Sequence, residues 1–224
     1  MHTFGHPVDL DAVTKVCANF HIALIEDAAE ALGSYYKGKH VGHWGRLTAL
    51  SFNGNKIVTT GGGGALLTAD PDLAKAAKHL STTAKLPHPW AFFHDQSGFN
   101  YRLPNINAAL GCAQLEQLPK FLEAKRNLAE RYAKDFEHMN GVHFFKEPVF
   151  AKSNYWLNAL RVDGDQCEKR DAIIALAHEN GIRLRPAWTL LNKLPMFSDF
   201  PKMDLSTAER IEATLINLPS SASL

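Results

Sequence analysis

One lysine, a pair of adjacent acids and a run of glycines are the residues of this chain whose types and spacing could do chemistry. Lys56 stands in Ser51-Phe52-Asn53-Gly54-Asn55-Lys56-Ile57-Val58-Thr59-Thr60, and Gly61 to Gly64 follow. A lysine on a turn at a strand end can reach into a pocket. Partly desolvated, its amine can shed its proton and form a Schiff base; the alternative is a solvated loop lysine. The glycines let backbone and ligand approach closely or supply positive φ. The stretch lacks the Gly-Lys-[Ser/Thr] of a phosphate loop and the spacing of a dinucleotide fingerprint. Glu26-Asp27, with Glu30 shortly after, closes the apolar run Ile22–Ile25. Acids at the carboxyl end of a buried strand are where α/β proteins place ligand groups; the alternative is that Asp27 caps a helix.

The elements that must position these groups can be read from pattern. Asp9 can cap a helix whose apolar stripe is Leu10, Val13, Val16, Cys17 and Phe20. Ile22–Ile25 and Leu47–Phe52 read as buried strands, and Ala65–Thr68 as another. Asp70-Pro71 opens a helix to about Leu80. Residues 1–6 look like the tail end of a preceding segment, and 33–46 like an exposed loop or hairpin. Residues 82–103 are irregular and hold the polar-aromatic knot Phe99-Asn100-Tyr101-Arg102, which in a loop this long points to function or an interface. Pro104 opens a helix to Leu118, Pro119 marks a kink or fresh start, and a charged helix runs on to about Met139, ended by Gly141. Val142–Phe145, Tyr155–Val162 and Ile182–Arg185 read as strands, Asp165–Asn180 and Leu205–Leu215 as helices. This β-β-α-β-α pattern suggests a small separate α+β domain.

Composition limits the function classes. A formal net charge of +1 over 224 residues gives no electrostatic case for nucleic acid or an anionic membrane. Cys17, Cys112 and Cys167 are odd in number and widely spaced, which suits a reducing cytoplasm rather than a disulfide framework or a zinc site, with Cys112 a buried thiol. His40 and His43 lack a third ligand for a metal. No apolar run is long enough to span a bilayer.

Glu26-Asp27-Ala28-Ala29-Glu30, Ser51-Phe52-x-x-x-Lys56 and Gly98-Phe99-Asn100-Tyr101-Arg102, in this order, resemble the DegT/DnrJ/EryC1/StrS sugar aminotransferases, which depend on pyridoxal 5'-phosphate and have the aspartate aminotransferase fold. Ser-Phe-Asn-Gly-Asn-Lys and Asn-Tyr-Arg-Leu-Pro-Asn-Ile-Asn-Ala-Ala-Leu-Gly are most similar to the branch making 4-amino sugar nucleotides for legionaminic acid or bacillosamine. The resemblance covers the whole chain. It implies an α/β fold of the type I pyridoxal-phosphate transferase class. Residues 1–118 would be the C-terminal part of the large cofactor-binding domain, 119–140 a connecting helix and 141–224 a small C-terminal domain.

The implied reaction is transfer of an amino group from glutamate to a 4-keto-6-deoxy nucleotide sugar, with a UDP-linked N-acetylhexosamine as the expected substrate and the cytoplasm as its place. The resemblance gives Lys56 the Schiff base and the proton shuttle, and Asp27 the pyridinium nitrogen. It gives Ser51 the cofactor phosphate and Asn100 the phosphate of a neighbouring subunit, in a homodimer with shared sites. Glu30 stands where many members have glutamine or histidine near the ring hydroxyl. Arg185 and Trp188 are candidates for the nucleotide-sugar pocket. Members that dehydrate the sugar carry histidine at the lysine position, so Lys56 favours transamination.

The resemblance further implies a segment ahead of residue 1, holding the first strands of the large sheet, phosphate contacts at a helix N-terminus and a ring that stacks on the cofactor. Without them the expectation is an open apolar sheet edge and little or no turnover by this chain alone. The competing reading is therefore an inactive piece that dimerises or binds a partner. A plain nucleotide-binding α/β fold lacks any phosphate-loop motif.

Overall fold

The computed structural model describes residues 1–164 and 167–224. The chain divides into two compact units, the first made of Met1–Glu123 with Glu147–Trp156 and the second of Ala124–Lys146 with Leu157–Leu224.

In the first unit the helix α1 (Leu10–Asn19) is capped by Asp9, whose side chain accepts from the Ala12 N–H. Strand β1 (Ile25–Asp27) pairs in parallel with β4 (Leu47–Ser51), placing Asp27 beside Ala49, and β4 pairs antiparallel with β5 (Gly64–Leu67). β1 and β5 are thus the two edges of this three-stranded sheet. The strand expected over Ile22–Ile25 starts only at its last residue, and both ends of that run are exposed, Ile22 at 62% and Ile25 at 64%. Val13, Val16 and Phe20 of the α1 stripe are exposed as well, and only Leu10 is buried. Helix α2 (Pro71–Ser81) starts where Asp70 accepts from the N–H groups of Asp72 and Leu73, with proline supplying a pre-set φ in the first turn.

A second antiparallel sheet joins β2 (Tyr35–Tyr36), β3 (Lys39–His40) and β7 (Ala151–Lys152) in the order β3-β2-β7. Residues 33–46 do form a hairpin, but Ser34, Tyr36 and Val41 are buried rather than exposed. The first six residues are built into this unit as well. His2, Phe4 and His6 are all buried around a short 3-10 turn, Thr3–Gly5.

Helix α3 (Asn105–Asp135) runs unbroken through Pro119. Proline there removes one N–H from the ladder, but flanking turns rich in leucine, alanine and charged helix formers continue on both sides. Cys112 is exposed on this helix, against the expectation of a buried thiol.

The second unit is built on an antiparallel sheet in the order β6-β8-β10-β9, made of β6 (Val142–Phe144), β8 (Asn158–Val162), β9 (Arg185–Pro186) and β10 (Leu215–Leu218). Leu160, Val162, Leu184, Ile216 and Leu218 form its core, with Tyr132, Phe136 and Ile174 packed against it. Helices α4 (Cys167–Glu179) and α5 (Ser206–Thr214) complete it. The expected helix start at Asp165 lies outside the described residues, as does the Cys167 side chain. β10 follows α5 with no intervening loop residue, so pattern reading leaves the strand out. β8 starts later than Tyr155 because that residue has φ 47° and belongs, with Trp156, to the first unit.

Candidate active site

Period-two alternation sends neighbouring strand residues to opposite faces, and β1 uses this to separate its two acids. Glu26 is buried, not presented to ligand. Its Oε1 accepts from the N–H groups of Trp44 (3.0 Å) and Gly45 (2.7 Å), and its Oε2 from Gly42 (2.8 Å) and from His2 Nε2 (3.1 Å). His2 Nδ1 accepts from the Val8 N–H, which leaves the ring proton on Nε2 to donate. Burial alone would raise the Glu26 carboxyl; the bonds from His2, Gly45, Gly42 and Trp44 win and hold it at about 2. Asp27 faces the other way and is exposed, its Oδ1 accepting from the Ala29 N–H at 3.1 Å in a turn that no helix follows.

At the end of β4, Ser51 Oγ accepts from the Asn53 N–H at 3.3 Å. The Phe52 N–H donates to Gly63 and the Thr60 N–H to Phe52, which closes the loop that carries Lys56. Gly64 pairs with Ser51 at that closure, and a Cβ on it would stand 2.3 Å from the Leu50 carbonyl oxygen. Only glycine fits that approach.

Lys56 is no solvated loop lysine. Its side chain and that of Glu30 are each 14% exposed, with Nζ 3.8 Å from Glu30 Oε1. Nζ also lies 3.9 Å from the centroid of the Trp156 ring, a cation–π distance. Burial pushes the amine below the usual lysine range, with the carboxylates of Glu30 and Asp27 opposing. Burial likewise pushes the Glu30 carboxyl up; the Phe4 N–H (2.7 Å from Oε2) and Lys56 oppose, while Asp27 adds to the rise.

Trp156 is the residue that sequence reasoning missed. Its indole Nε1 donates to the Asn55 carbonyl at 2.8 Å, and its backbone N–H to Asn154 Oδ1 at 2.8 Å. Asn154 is fully buried and binds the Glu30 segment from behind, Nδ2 donating to the carbonyls of Glu30 and Leu32, both at 2.8 Å. Its N–H donates to Ser34 Oγ, which in turn donates to the Gly5 carbonyl. One polar network therefore fixes Glu30 and Trp156 on either side of the amine. The one available signal was Ser153-Asn154, a turn pair directly ahead of the expected Tyr155–Val162 strand.

The remaining candidates are carried by other elements. Asn100 is exposed in the 82–103 segment, where it bridges to Thr82. Arg185 is exposed on β9 opposite Asn217, and Trp188 follows it, 59% exposed, both in the second unit. His40 Nε2 accepts from the Gly33 N–H, and no group of three or more metal-binding side chains occurs among the described residues. No helix among them is long and apolar enough to cross a membrane.

The set of Asp27, Ser51 and Lys56 at the carboxyl ends of two adjacent parallel strands suits a phosphorylated pyridine aldehyde. It offers a carboxylate for a ring nitrogen, a hydroxyl for phosphate and a buried amine for a carbonyl. Comparison with known proteins agrees. The DegT/DnrJ/EryC1/StrS aminotransferase family matches over residues 1–224. EpsN of Bacillus subtilis (strain 168), provisionally described as a pyridoxal phosphate-dependent aminotransferase, is 40% identical over 197 residues, 88% of this chain and 50% of that protein. GDP-perosamine synthase of Escherichia coli O157:H7 is 36% identical over 225 residues, all of this chain and 60% of that protein. The crystal structure of the aminotransferase TlmJ from Streptoalloteichus hindustanus superposes with a TM-score of 0.93 at 28% identity, covering all of this chain and 60% of that one. The chain thus spans between half and three fifths of the length of these relatives.

Proposed function

The chain belongs to the DegT/DnrJ/EryC1/StrS aminotransferase family, whose cofactor is pyridoxal 5'-phosphate, and on that premise we propose that it carries the lysine side of a nucleotide-sugar aminotransferase site. The observation that supports this most is the Lys56 amine, 14% exposed and seated between Glu30 and the Trp156 ring. The proposed reaction moves an amino group from glutamate, leaving 2-oxoglutarate, to C4 of a 4-keto-6-deoxy nucleotide sugar. The proposed sugar is a UDP-linked N-acetylhexosamine and the place the cytoplasm; amino-sugar biosynthesis would take the product.

Bound pyridoxal 5'-phosphate supplies an aldehyde and an electron-withdrawing ring. Lys56 supplies the attacking nitrogen and afterwards moves a proton at Nζ. Asp27 would hold the ring nitrogen protonated, Ser51 would bond the phosphate, and Glu30 would lie by the ring hydroxyl. Asn100 would reach the phosphate of a second subunit across a homodimer interface. Arg185 and Trp188 would face the nucleotide sugar, a cation for the diphosphate and an aromatic face for the base.

The experiment is borohydride trapping of the chain mixed with pyridoxal 5'-phosphate, read by peptide mass, beside Lys56→Ala. A pyridoxyl label on Lys56, absent from the variant, supports the reading; label scattered over surface lysines overturns it. UDP-linked and GDP-linked keto sugars are then supplied in parallel with glutamate, because the Escherichia coli relative is a GDP-perosamine synthase. The second reading is an inactive dimerisation or binding module. Specific label without turnover on either sugar would select it.

A further inference from the structure

We propose that Glu30 is the acceptor of the Lys56 proton: an N–H bond of the ammonium breaks, an O–H bond forms on the carboxylate, and the nitrogen keeps the electron pair with which it attacks a carbonyl. This rests on the reading of Lys56 as the Schiff-base lysine. Two observations and two physical arguments carry it. The two groups face each other at 3.8 Å, both 14% exposed. The Phe4 N–H occupies Oε2 at 2.7 Å, which fixes the carboxylate so that Oε1 is the oxygen turned to the amine. A swing of roughly 1 Å by the lysine brings the pair to hydrogen-bond length. Finally, the transfer turns an ion pair into a neutral pair, so a site with little water need not export a charge.

The surroundings set the resting state. The Trp156 ring at 3.9 Å attracts an ammonium but not a neutral amine, so it holds Lys56 charged until a carbonyl arrives. Asp27 is the other charged group acting on the pair. Its carboxylate favours a proton on Lys56 and on Glu30 alike, so it does not choose between them. Burial disfavours charge on both partners, which narrows the gap between the ion pair and the neutral pair.

An interacting pair that shares one proton has a consequence that a lone lysine lacks. Between its two macroscopic titrations the fraction present as neutral amine with neutral acid does not change with pH. The test is therefore the pH profile of Lys56 acetylation by trace acetic anhydride. It is mapped by mass spectrometry, normalised to a small amine of known pKa, and needs no cofactor. In the unaltered chain the reactivity of Lys56 is expected to level off towards neutral pH. In Glu30→Gln it should fall tenfold for each pH unit below the amine's midpoint, with no level region. Superimposable profiles overturn the proposal. Should Glu30→Gln fail to fold by circular dichroism, Glu30→Asp withdraws the carboxylate by one methylene. The level region should then sink at least threefold, and a profile like that of the unaltered chain would again overturn the proposal. Borohydride trapping, run separately, reports on the cofactor reading. Label on Lys56 with unchanged acetylation profiles sinks only the proton transfer, and changed profiles without label sink only the cofactor.

Discussion

The indole of Trp156 grips Lys56 twice: its face lies 3.9 Å from Nζ, and its N–H donates at 2.8 Å to the carbonyl of Asn55, the residue before that lysine. Side chain and backbone of the reactive turn are thereby set by one distant ring. Trp156→Phe keeps a face and loses the hydrogen bond. It should weaken pyridoxal 5'-phosphate binding about fivefold, the equivalent of about 1 kcal/mol. Trp156→Ala should weaken it by a further factor of about 3 to 5, the value of a partly exposed cation–π contact. Absorbance titration measures both, and equal binding by all three proteins would take the indole out of the site.

Asp27 separates ligand from cap. It is exposed, and its Oδ1 accepts from the Ala29 N–H. Asp27→Ala should alter unfolding free energy by no more than about 1 kcal/mol. Over the same substitution, pyridoxal 5'-phosphate binding should fall tenfold or more, since the ring nitrogen would lose its carboxylate. A large stability loss with unchanged binding would make Asp27 a turn residue only.

Acid should unfold the first unit in two overlapping stages. Burial lowers His6 from 6.5 to about 4, with Glu147 opposing, so the folded ring stays neutral where the unfolded one takes a proton. That contribution is present above pH 6.5 and is lost as pH falls from 6.5 towards 4. Glu26, held at about 2 against 4.5, adds stability that is present above pH 4.5 and lost as pH falls towards 2. Each contributes a slope of up to about 1.4 kcal/mol per pH unit in its window. Denaturant titrations across pH should show the first limb vanish in His6→Phe and the second in Glu26→Gln. Glu26→Gln should also be less stable at neutral pH, because two oxygens serving four donors become one.

Two glycines with similar backbones should respond differently to a methyl group. Gly5 and Gly38 have φ of 93° and 81°, so alanine is strained at both. At Gly5 the added carbon would also stand 1.8 Å from Asn154 Oδ1, whereas nothing lies within 4 Å at Gly38. Gly38→Ala should cost about 1 kcal/mol. Gly5→Ala should cost several times more and loosen the lysine site, because Asn154 holds both Glu30 and Trp156. Thermal melts with bound and free pyridoxal 5'-phosphate would show whether the two effects travel together.

Local chemistry was legible from the sequence where a residue acts on its neighbours. Asp70-Pro71 announced α2, Asp9 announced α1, and Ser51 to Gly64 announced a turn bearing an amine. The inward turn of Glu26 was legible in principle, since strand alternation forbids Glu26 and Asp27 from sharing a face. What sequence could not show was set by distance along the chain. Nothing near Lys56 names Trp156, and nothing near Glu30 names Asn154, 124 residues on. β10 was hidden because α5 ends without a breaker before Leu215. Pro119 lies inside α3 rather than opening a new helix, because a helix with turns on both sides tolerates the loss of one N–H.

The first unit is completed only when the chain comes back to it at Glu147–Trp156. On a ribosome this becomes a matter of time. Asn55 waits for a partner 101 residues downstream, roughly 5 to 20 s of synthesis at ordinary rates. Throughout that interval the nascent lysine lacks the ring and the Asn154 network that later restrain it, and aldehydes in the surroundings meet an unshielded amine. Order of emergence, as much as final geometry, then decides when Lys56 acquires the surroundings that the finished fold gives it.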